Sequence, residues 1–481
     1  MKINKFNIGY IAIFIGSISL RLGLALYNRE ANDPHMPVVR FILRNNELPE
    51  KINCWECFQP KLFYYTIAKI LVFLQLDKSP DADAQKIIAQ IVNFLAGVVI
   101  LIVAWMFIGK LSEFRDGVKL LGFAFLAFNP QLIGINSQIT NDTFLIMFCV
   151  LAVYCVYLVF KNQGVVYFLL VVIFSFLAVL SKTNGWVTVI AITMAITVRA
   201  FLSKSECRKM IVFAFAYPIF VISLAALSPL SQYVYNYQRY GSPILINIEK
   251  QPSPLLFKKT KIPYAGILSI QDGFLTFKFR DLIEYPLTYL LDDVDDGSHR
   301  TSLWTRLYGS ANSIHFENYP PSWRNTALTS FVIYRGIFVL ALLPAIFMLA
   351  GATMEIYEMI KAILTKDIAV LDSISYGLFA LLFVGYFLFI MLYAFEYRTY
   401  YVMKAIFIYP GLLAFLLFFL RTLTAVFNLP KLKYWQGIGI YVFGWTLLAL
   451  YILDVIILIV QLIPNQSGIY IVLDRLFRIW R

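Results

Sequence analysis

Charge is scarce in this chain of 481 residues, for only 14% are Asp, Glu, Lys or Arg, while 60% are hydrophobic and 17% aromatic. A soluble domain of this size would alternate polar and apolar positions far more often. Instead apolar runs recur from end to end, and about 20 such residues cross a ~30 Å hydrocarbon core. Helices are the economical way to cross, because a helix satisfies its own backbone hydrogen bonds where water is absent. Cysteine is also sparse: five residues are too few for a disulfide scaffold, and Cys149 and Cys155 lie in an apolar run. No internal repeat and no low-complexity linker breaks the pattern. The formal charge of +13 suits a partner that carries phosphate, either a bilayer surface or a lipid-linked substrate. The basic residues are dispersed and form no stripe, which argues against nucleic acid.

The fold class read from this is an all-α integral membrane protein with about 11 transmembrane helices. The spans are placed near residues 7–27, 86–109, 118–135, 142–160, 165–181, 184–202, 209–229, 327–352, 372–395, 401–421 and 436–462. The first span has a basic start but carries Arg21 and lacks a small-residue cleavage site, so it reads as uncleaved. Lysine and arginine orient the set with the N-terminus in the cytoplasm. Inner loops then receive Lys110, Arg115 and Lys119, then Lys161, next Arg199, Lys204, Arg208 and Lys209, and later Lys361, Lys366, Arg421, Lys431 and Lys433. The basic tail "DRLFRIWR" falls outside and runs against this rule. Residues 1–481 read as a single membrane domain with two long outer loops, 28–85 and 230–326. They hold most of the polar residues that no span explains, which is where chemistry belongs.

Four stretches stand out, each with a plain alternative. "NDPHMPVVRFILRNNELP" begins with Asp33 and His35 and continues as a short amphipathic helix carrying Arg40, with Val38, Val39, Ile42 and Leu43 on its apolar side. It is either a surface anchor or the edge of a site. "CWECFQPKLFYYTIAKILVFL" has the aromatics of an interfacial helix. In "NDTFLIMF", Asn141 and Asp142 precede a span and suit an N-terminal cap; a second carboxylate on the side of Asp33 also suits general-base or metal work. Lys182 in "LAVLSKTNG" interrupts apolar sequence at a span boundary, where it either snorkels or functions.

Near the end, Arg398 and Lys404 in "FEYRTYYVMKAIFIYPGLL" flank aromatics and together suit a phosphate, one by a fork of donors and the other by a point charge. The acidic run "DDVDD" at 292–296 is either a solvated loop or an oxygen site for a divalent cation. Cys54 and Cys57 stand three apart in a polar segment, as a disulfide, a redox pair or a coincidence, and two sulfurs make a poor case for zinc. Asn141-Asp-Thr143 and Asn465-Gln-Ser467 fit the glycosylation pattern, which is common by chance.

Taken together these stretches resemble the GT-C superfamily of polyprenyl-phosphate-sugar glycosyltransferases, in the branch of the protein O-mannosyltransferases and the lipid A aminoarabinose transferase. "NDPHMPVVRFILRNNELP" is similar to the family's first-loop acidic motif, and "CFQPKLFYY" to its His-Pro-Pro-Leu-Tyr-Tyr element. "NDTFLIMF" resembles the acidic start of a later span, and "LAVLSKTNG" its Leu-Thr-Lys segment. "SLWTRLYGS" and "YYVMKAIFIYPGLL" are weaker likenesses, and the order of the motifs covers most of residues 1–420. Two departures are Asp33-Pro34 for the usual Asp-Glu, and Phe58-Gln59-Pro60-Lys61 for His and two prolines.

The resemblance implies a GT-C-like fold and sugar transfer from a lipid-linked donor to a protein, lipid or glycan acceptor. The loop topology puts this at the outer face, and the lysine- and asparagine-containing bacterial style of the sequence points to an inner membrane. The resemblance assigns Asp33 as the catalytic base, with Asp142 as a second catalytic carboxylate. His35, Arg40, Lys182, Arg398 and Lys404 are then the groups to hold substrate and phosphate. No cofactor is required by this scheme, and a divalent metal ion is its one possible addition. A diphosphate-linked ligase or polymerase is the neighbouring alternative. A transporter or flippase is the rival from another class, although the matched broken helices usual in transporters are not visible.

Overall fold

The computed structural model describes residues 5–28, 33–79, 81–161, 164–202, 207–247, 270–284, 286, 301–313, 324–367, 377–398, 402–430, 434–463 and 468–480. Among these residues the secondary structure is helical, without a strand. In order the helices are α1 (Lys5–Tyr27), α2 (Met36–Asn45), α3 (Leu62–Phe73), α4 (Ala82–Gly109), α5 (Asp116–Ala127), α6 (Pro130–Asn136) and α7 (Asp142–Phe160). Then come α8 (Val165–Ser181), α9 (Gly185–Leu202), α10 (Cys207–Leu227), α11 (Tyr233–Tyr240), α12 (Ile270–Phe274), α13 (Phe279–Glu284) and α14 (Leu303–Asn312). The chain ends with α15 (Arg324–Leu340), α16 (Leu342–Thr365), α17 (Leu378–Tyr397), α18 (Leu412–Phe427), α19 (Tyr434–Leu462) and α20 (Ile469–Trp480).

Nine of the described helices are long and apolar enough to cross a bilayer, and ten if one bent pair is a single span. The expected eleven spans differ from this at two places. Residues 118–135 are a broken helix, α5 followed by α6 at 49°. The break sits at Asn129-Pro130, where proline forces its predecessor into extended backbone and then opens the next helix. Asn129 caps that helix, its Oδ1 accepting from Leu132 N at 2.8 Å. The other place is α8, whose 17 residues rise roughly 26 Å, a little short of the hydrocarbon thickness.

A third difference bears on the site. The apolar stretch expected to be helical from residue 401 instead makes two short 3-10 turns, Ala405–Phe407 and Tyr409–Gly411, before α18 begins at Leu412. Pro410 has no backbone N–H to give to a preceding turn, which sets the helix start after it. Lys404 therefore stands in extended backbone, φ −105° and ψ 135°, and not on a helix face.

The most enclosed of the described candidate spans is α7, buried over most of its length and packed by α8, α4, α9 and α18. Lipid is as apolar as leucine, so close packing and polar contacts must supply what a water-driven core supplies elsewhere. Gly97 is one such close approach: a Cβ there would lie 2.7 Å from the side chain of Asn136, so glycine lets α4 meet α6. Polar ties include Tyr386 and Thr188, whose hydroxyls are 2.7 Å apart between α17 and α9. Arg421 of α18 reaches Glu355 at 2.9 Å and Glu358 at 2.8 Å, both on α16. Large apolar side chains such as Phe215, Leu227, Leu392 and Trp435 remain exposed on the outer surface of the bundle, as a lipid-facing surface requires.

Candidate functional site

The first loop supplies one wall of the site. Pro37 opens α2, and Asn46 in the left-handed region closes it with its N–H on Ile42 O. The apolar stripe Val38, Val39 and Ile42 is buried against α3, with Leu43 packed at its margin, as the amphipathic pattern predicts. One face of α3, made of Phe63, Tyr64, Ile67, Ala68 and Leu71, is buried in the same cluster, while Val72 and Phe73 stay exposed. Between the two helices the polar segment folds into short turns, and Cys54 and Cys57 are joined as a disulfide. This arrangement delivers Asp33 and His35, just before α2, to the ends of α6, α7 and α8.

The carboxylate and amine of the second pair arrive by separate helix ends. Asn141 occupies the cap position of α7 but makes no side-chain cap bond; its Nδ2 instead donates to Ser181 O at 3.1 Å, the last residue of α8. The next residue, Lys182, leaves the helix in extended backbone. The chain then reverses tightly into α9, where a Cβ on Gly185 would lie 2.8 Å from the backbone of Ala178. Lys182 Nζ thereby reaches both oxygens of Asp142, at 2.7 and 2.8 Å. Thr140 donates its hydroxyl to Asp142 Oδ2 at 3.0 Å and accepts from Asp142 N at 3.2 Å. The helix-cap alternative for Asp142 and the snorkelling alternative for Lys182 thus give way to a buried ion pair.

Asp33, His35, Asp142, Lys182 and Lys404 line one partly open cleft of about 620 Å³ including its mouth, together with Gln131, Gln138, Thr140 and Phe407. Lys404 Nζ is 3.8 Å from Asp33 Oδ2, an ionic contact longer than a hydrogen bond. Lys182 also lies over the ring of Phe407, 5.1 Å from its centroid. Two carboxylates and two ammonium groups therefore face each other within one cleft. Arg40 and Arg398 are not among its lining residues. Arg40 is half-buried on α2, and Arg398 ends α17 in the left-handed region, its N–H on Ala394 O and its Nε on Phe395 O at 3.4 Å.

The local fields differ from group to group. The Lys404 ammonium holds the Asp33 carboxyl below the ordinary carboxylate range, with burial opposing and His35 and Lys182 adding smaller pulls. Burial pushes His35 down to about 4, so its imidazole is neutral at pH 7. Its Nδ1 pairs with Tyr64 Oη at 2.8 Å. A neutral ring offers a phosphate a hydrogen bond and no net charge. Glu56, inside the disulfide loop and buried, is pushed up to about 7 by burial and by the nearby Asp33. Lys61 is pulled down to about 7 by burial, although its ammonium donates to the carbonyls of Cys57 and Gln59.

Sequence reasoning passed over Thr140, Phe407, Tyr64 and Glu56. Tyr64 and Phe407 lie within stretches already singled out, as rings among many rings. Nothing in the order of residues marks which aromatic meets which cation. The second long loop also reaches the site. Ser310 on α14 accepts from Ala405 N at 2.9 Å, which ties the turn beside Lys404 to that helix. The "DDVDD" run, the segment 248–269 and Asn465 with Ser467 lie outside the described residues. Among the described residues no group of three or more His, Cys, Asp or Glu side chains is placed to share a metal ion.

Residues 83–233, from α4 to the start of α11, match a family described as dolichyl-phosphate-mannose-protein mannosyltransferase. Among solved structures, ArnT from Cupriavidus metallidurans bound to undecaprenyl phosphate is similar at 11% identity and a TM-score of 0.35, over 85% of this chain and 77% of that one. No curated protein sequence gives a significant match. The matched segment contains Asp142 and Lys182, two of the residues on which the resemblance was drawn, and so bears out the likeness of this chain to the GT-C superfamily of membrane glycosyltransferases.

Proposed function

We propose that this protein transfers a sugar from a polyprenyl-phosphate-linked donor to a protein, lipid or polysaccharide acceptor at the outer face of the membrane. The observation that carries the reading is the cleft itself, where the carboxylate of Asp33 and the ammonium groups of Lys182 and Lys404 converge beside a segment matched to a lipid-phosphate-sugar transferase family. Transfer joins an acceptor oxygen to the anomeric carbon, breaks the bond from that carbon to the phosphate oxygen, and releases one proton from the acceptor. Asp33 takes that proton. Lys404, and Lys182 beside it, stabilise the charge that grows on the departing phosphate. The donor is already activated by its phosphate ester, so no nucleotide loop is needed.

The spacing of the two ion pairs favours this division of labour. Asp142 is locked by three short contacts, and holds Lys182 in place. Asp33 is 38% exposed at its side chain and touches Lys404 only at 3.8 Å. A donor phosphate that draws the Lys404 charge toward itself weakens the influence depressing Asp33, and so makes it a stronger base when substrate is bound.

The test is direct. Purified protein in lipid nanodiscs is incubated with polyprenyl-phosphate sugars of several kinds, and release of polyprenyl phosphate is followed in the presence of membrane extracts as acceptor. Acceptor-dependent release from a monophosphate donor supports the reading; release from diphosphate donors alone would replace it with a ligase or polymerase.

A further inference from the structure

Asn93 sits in the middle of the apolar helix α4, fully buried. Its amide nitrogen donates both hydrogens, one to Gln138 O at 2.7 Å and one to Thr140 O at 2.7 Å. Those two carbonyls bracket Ile139, and Gln138, Ile139 and Thr140 all line the cleft. Thr140 in turn holds the Asp142 carboxylate at 3.0 Å, and that carboxylate holds Lys182. Through its backbone carbonyl and its hydroxyl, Thr140 therefore links the interior of α4 to the charged pair.

Geometry makes this clamp specific to an amide. The segment from Ser137 to Asn141 links α6 to α7 and has few helical partners for its carbonyls. A primary amide carries two N–H groups on one nitrogen. An aspartate in the same place offers only oxygen to two carbonyl oxygens, and a leucine offers nothing. A carbonyl left unpaired in a buried setting is costly, so the segment would move to find another donor.

We propose that Asn93 is a positioning residue for the reaction, fixing the 138–140 segment so that Thr140 and the Asp142–Lys182 pair keep their place in the cleft. Asn93 touches neither donor nor acceptor in this scheme. The inference rests on the functional reading above for its effect on rate, while its effect on the segment stands apart from that reading.

Two measurements on full-length protein in nanodiscs test it. In the first, Gln138→Cys is labelled with a charged maleimide, and modification at 138 is followed by peptide mass spectrometry with Asn93 intact and with Asn93→Leu. The released segment should react about tenfold faster. In the second, turnover of Asn93→Leu is counted per molecule able to bind donor. A displacement of about 1 Å from the reacting geometry lowers kcat by about 10- to 100-fold, while the donor KM should stay within about threefold. Asn93→Asp, close in size and polar, should reproduce both effects and serves if the leucine variant does not fold. An unchanged labelling rate overturns the proposal, and so does wild-type kcat per competent molecule. A wild-type protein inert toward every donor overturns the functional reading instead, and the labelling rates still decide whether Asn93 holds the segment.

Discussion

Lys182 holds Asp142 by both carboxylate oxygens, at 2.7 and 2.8 Å, although 40 residues separate them and each stands at the end of a different helix. A bidentate contact between largely buried partners is unlike a surface ion pair. Removing one partner leaves the other charged and desolvated, which typically costs about 3–5 kcal/mol.

From this follows a contrast between the two acids. Asp33→Asn keeps shape but removes the proton acceptor, and loss of a general base costs about 10²–10⁴-fold in rate. Expression and donor binding should persist. Asp142→Asn should be severe too, but in another way: Lys182 loses its partner, so thermal stability falls along with turnover. Near-normal turnover by Asp33→Asn, assayed as sugar release from labelled donor, would remove it as the base.

Lys404 and Arg398 should part company. Lys404 faces the cleft and Arg398 does not, so Lys404→Gln should weaken binding of polyprenyl phosphate and Arg398→Gln should leave it nearly intact. The pH profile gives a second readout. Lys404 is the main cause of the depressed Asp33 pKa, so wild-type kcat/KM should lose activity only at pH below the usual carboxylate range. Lys404→Gln should move that acid limb upward. An unmoved limb would detach Asp33 from the titration.

Glu56 predicts a stability trend. Its carboxyl is held at about 7 in the folded protein against 4.5 in the free state, chiefly by burial. A raised carboxyl pKa means that the folded state resists ionisation, so its contribution to stability is fully present below 4.5 and is lost as pH rises through 7. Glu56→Gln cannot ionise and should therefore become more stable relative to wild type between pH 5 and pH 8. Parallel melting curves across that range would show that Glu56 is not desolvated in solution.

Topology underlies the outer-face assignment. Reporter fusions at residues 45 and 270 should read outside and a fusion at 365 should read cytoplasmic. A cytoplasmic signal at 270 would turn the cleft to the other face of the membrane and overturn the proposed acceptor side.

Composition alone determined that the chain is helical and lies in a membrane, because hydrocarbon tolerates no unpaired backbone and long apolar runs have no other stable outcome. The sequence also picked out Asp33, Asp142, Lys182 and Lys404, because a charged side chain beside an apolar run is costly and therefore conspicuous. Three things were decided only in three dimensions. Proline bends at 130 and 410 turned predicted continuous spans into a broken helix and a pair of short turns, since a proline's effect depends on what packs around the break. The choice among cations was tertiary as well: Arg398 and Lys404 look alike along the chain, yet only Lys404 stands where the backbone turns into the cleft. Partners such as Tyr64 and Asn93 are ordinary residues until a distant segment of the chain brings an imidazole or two carbonyls within 3 Å. Hydrogen bonds are set by distances of that size between groups far apart in the chain, and residue order does not encode those distances locally.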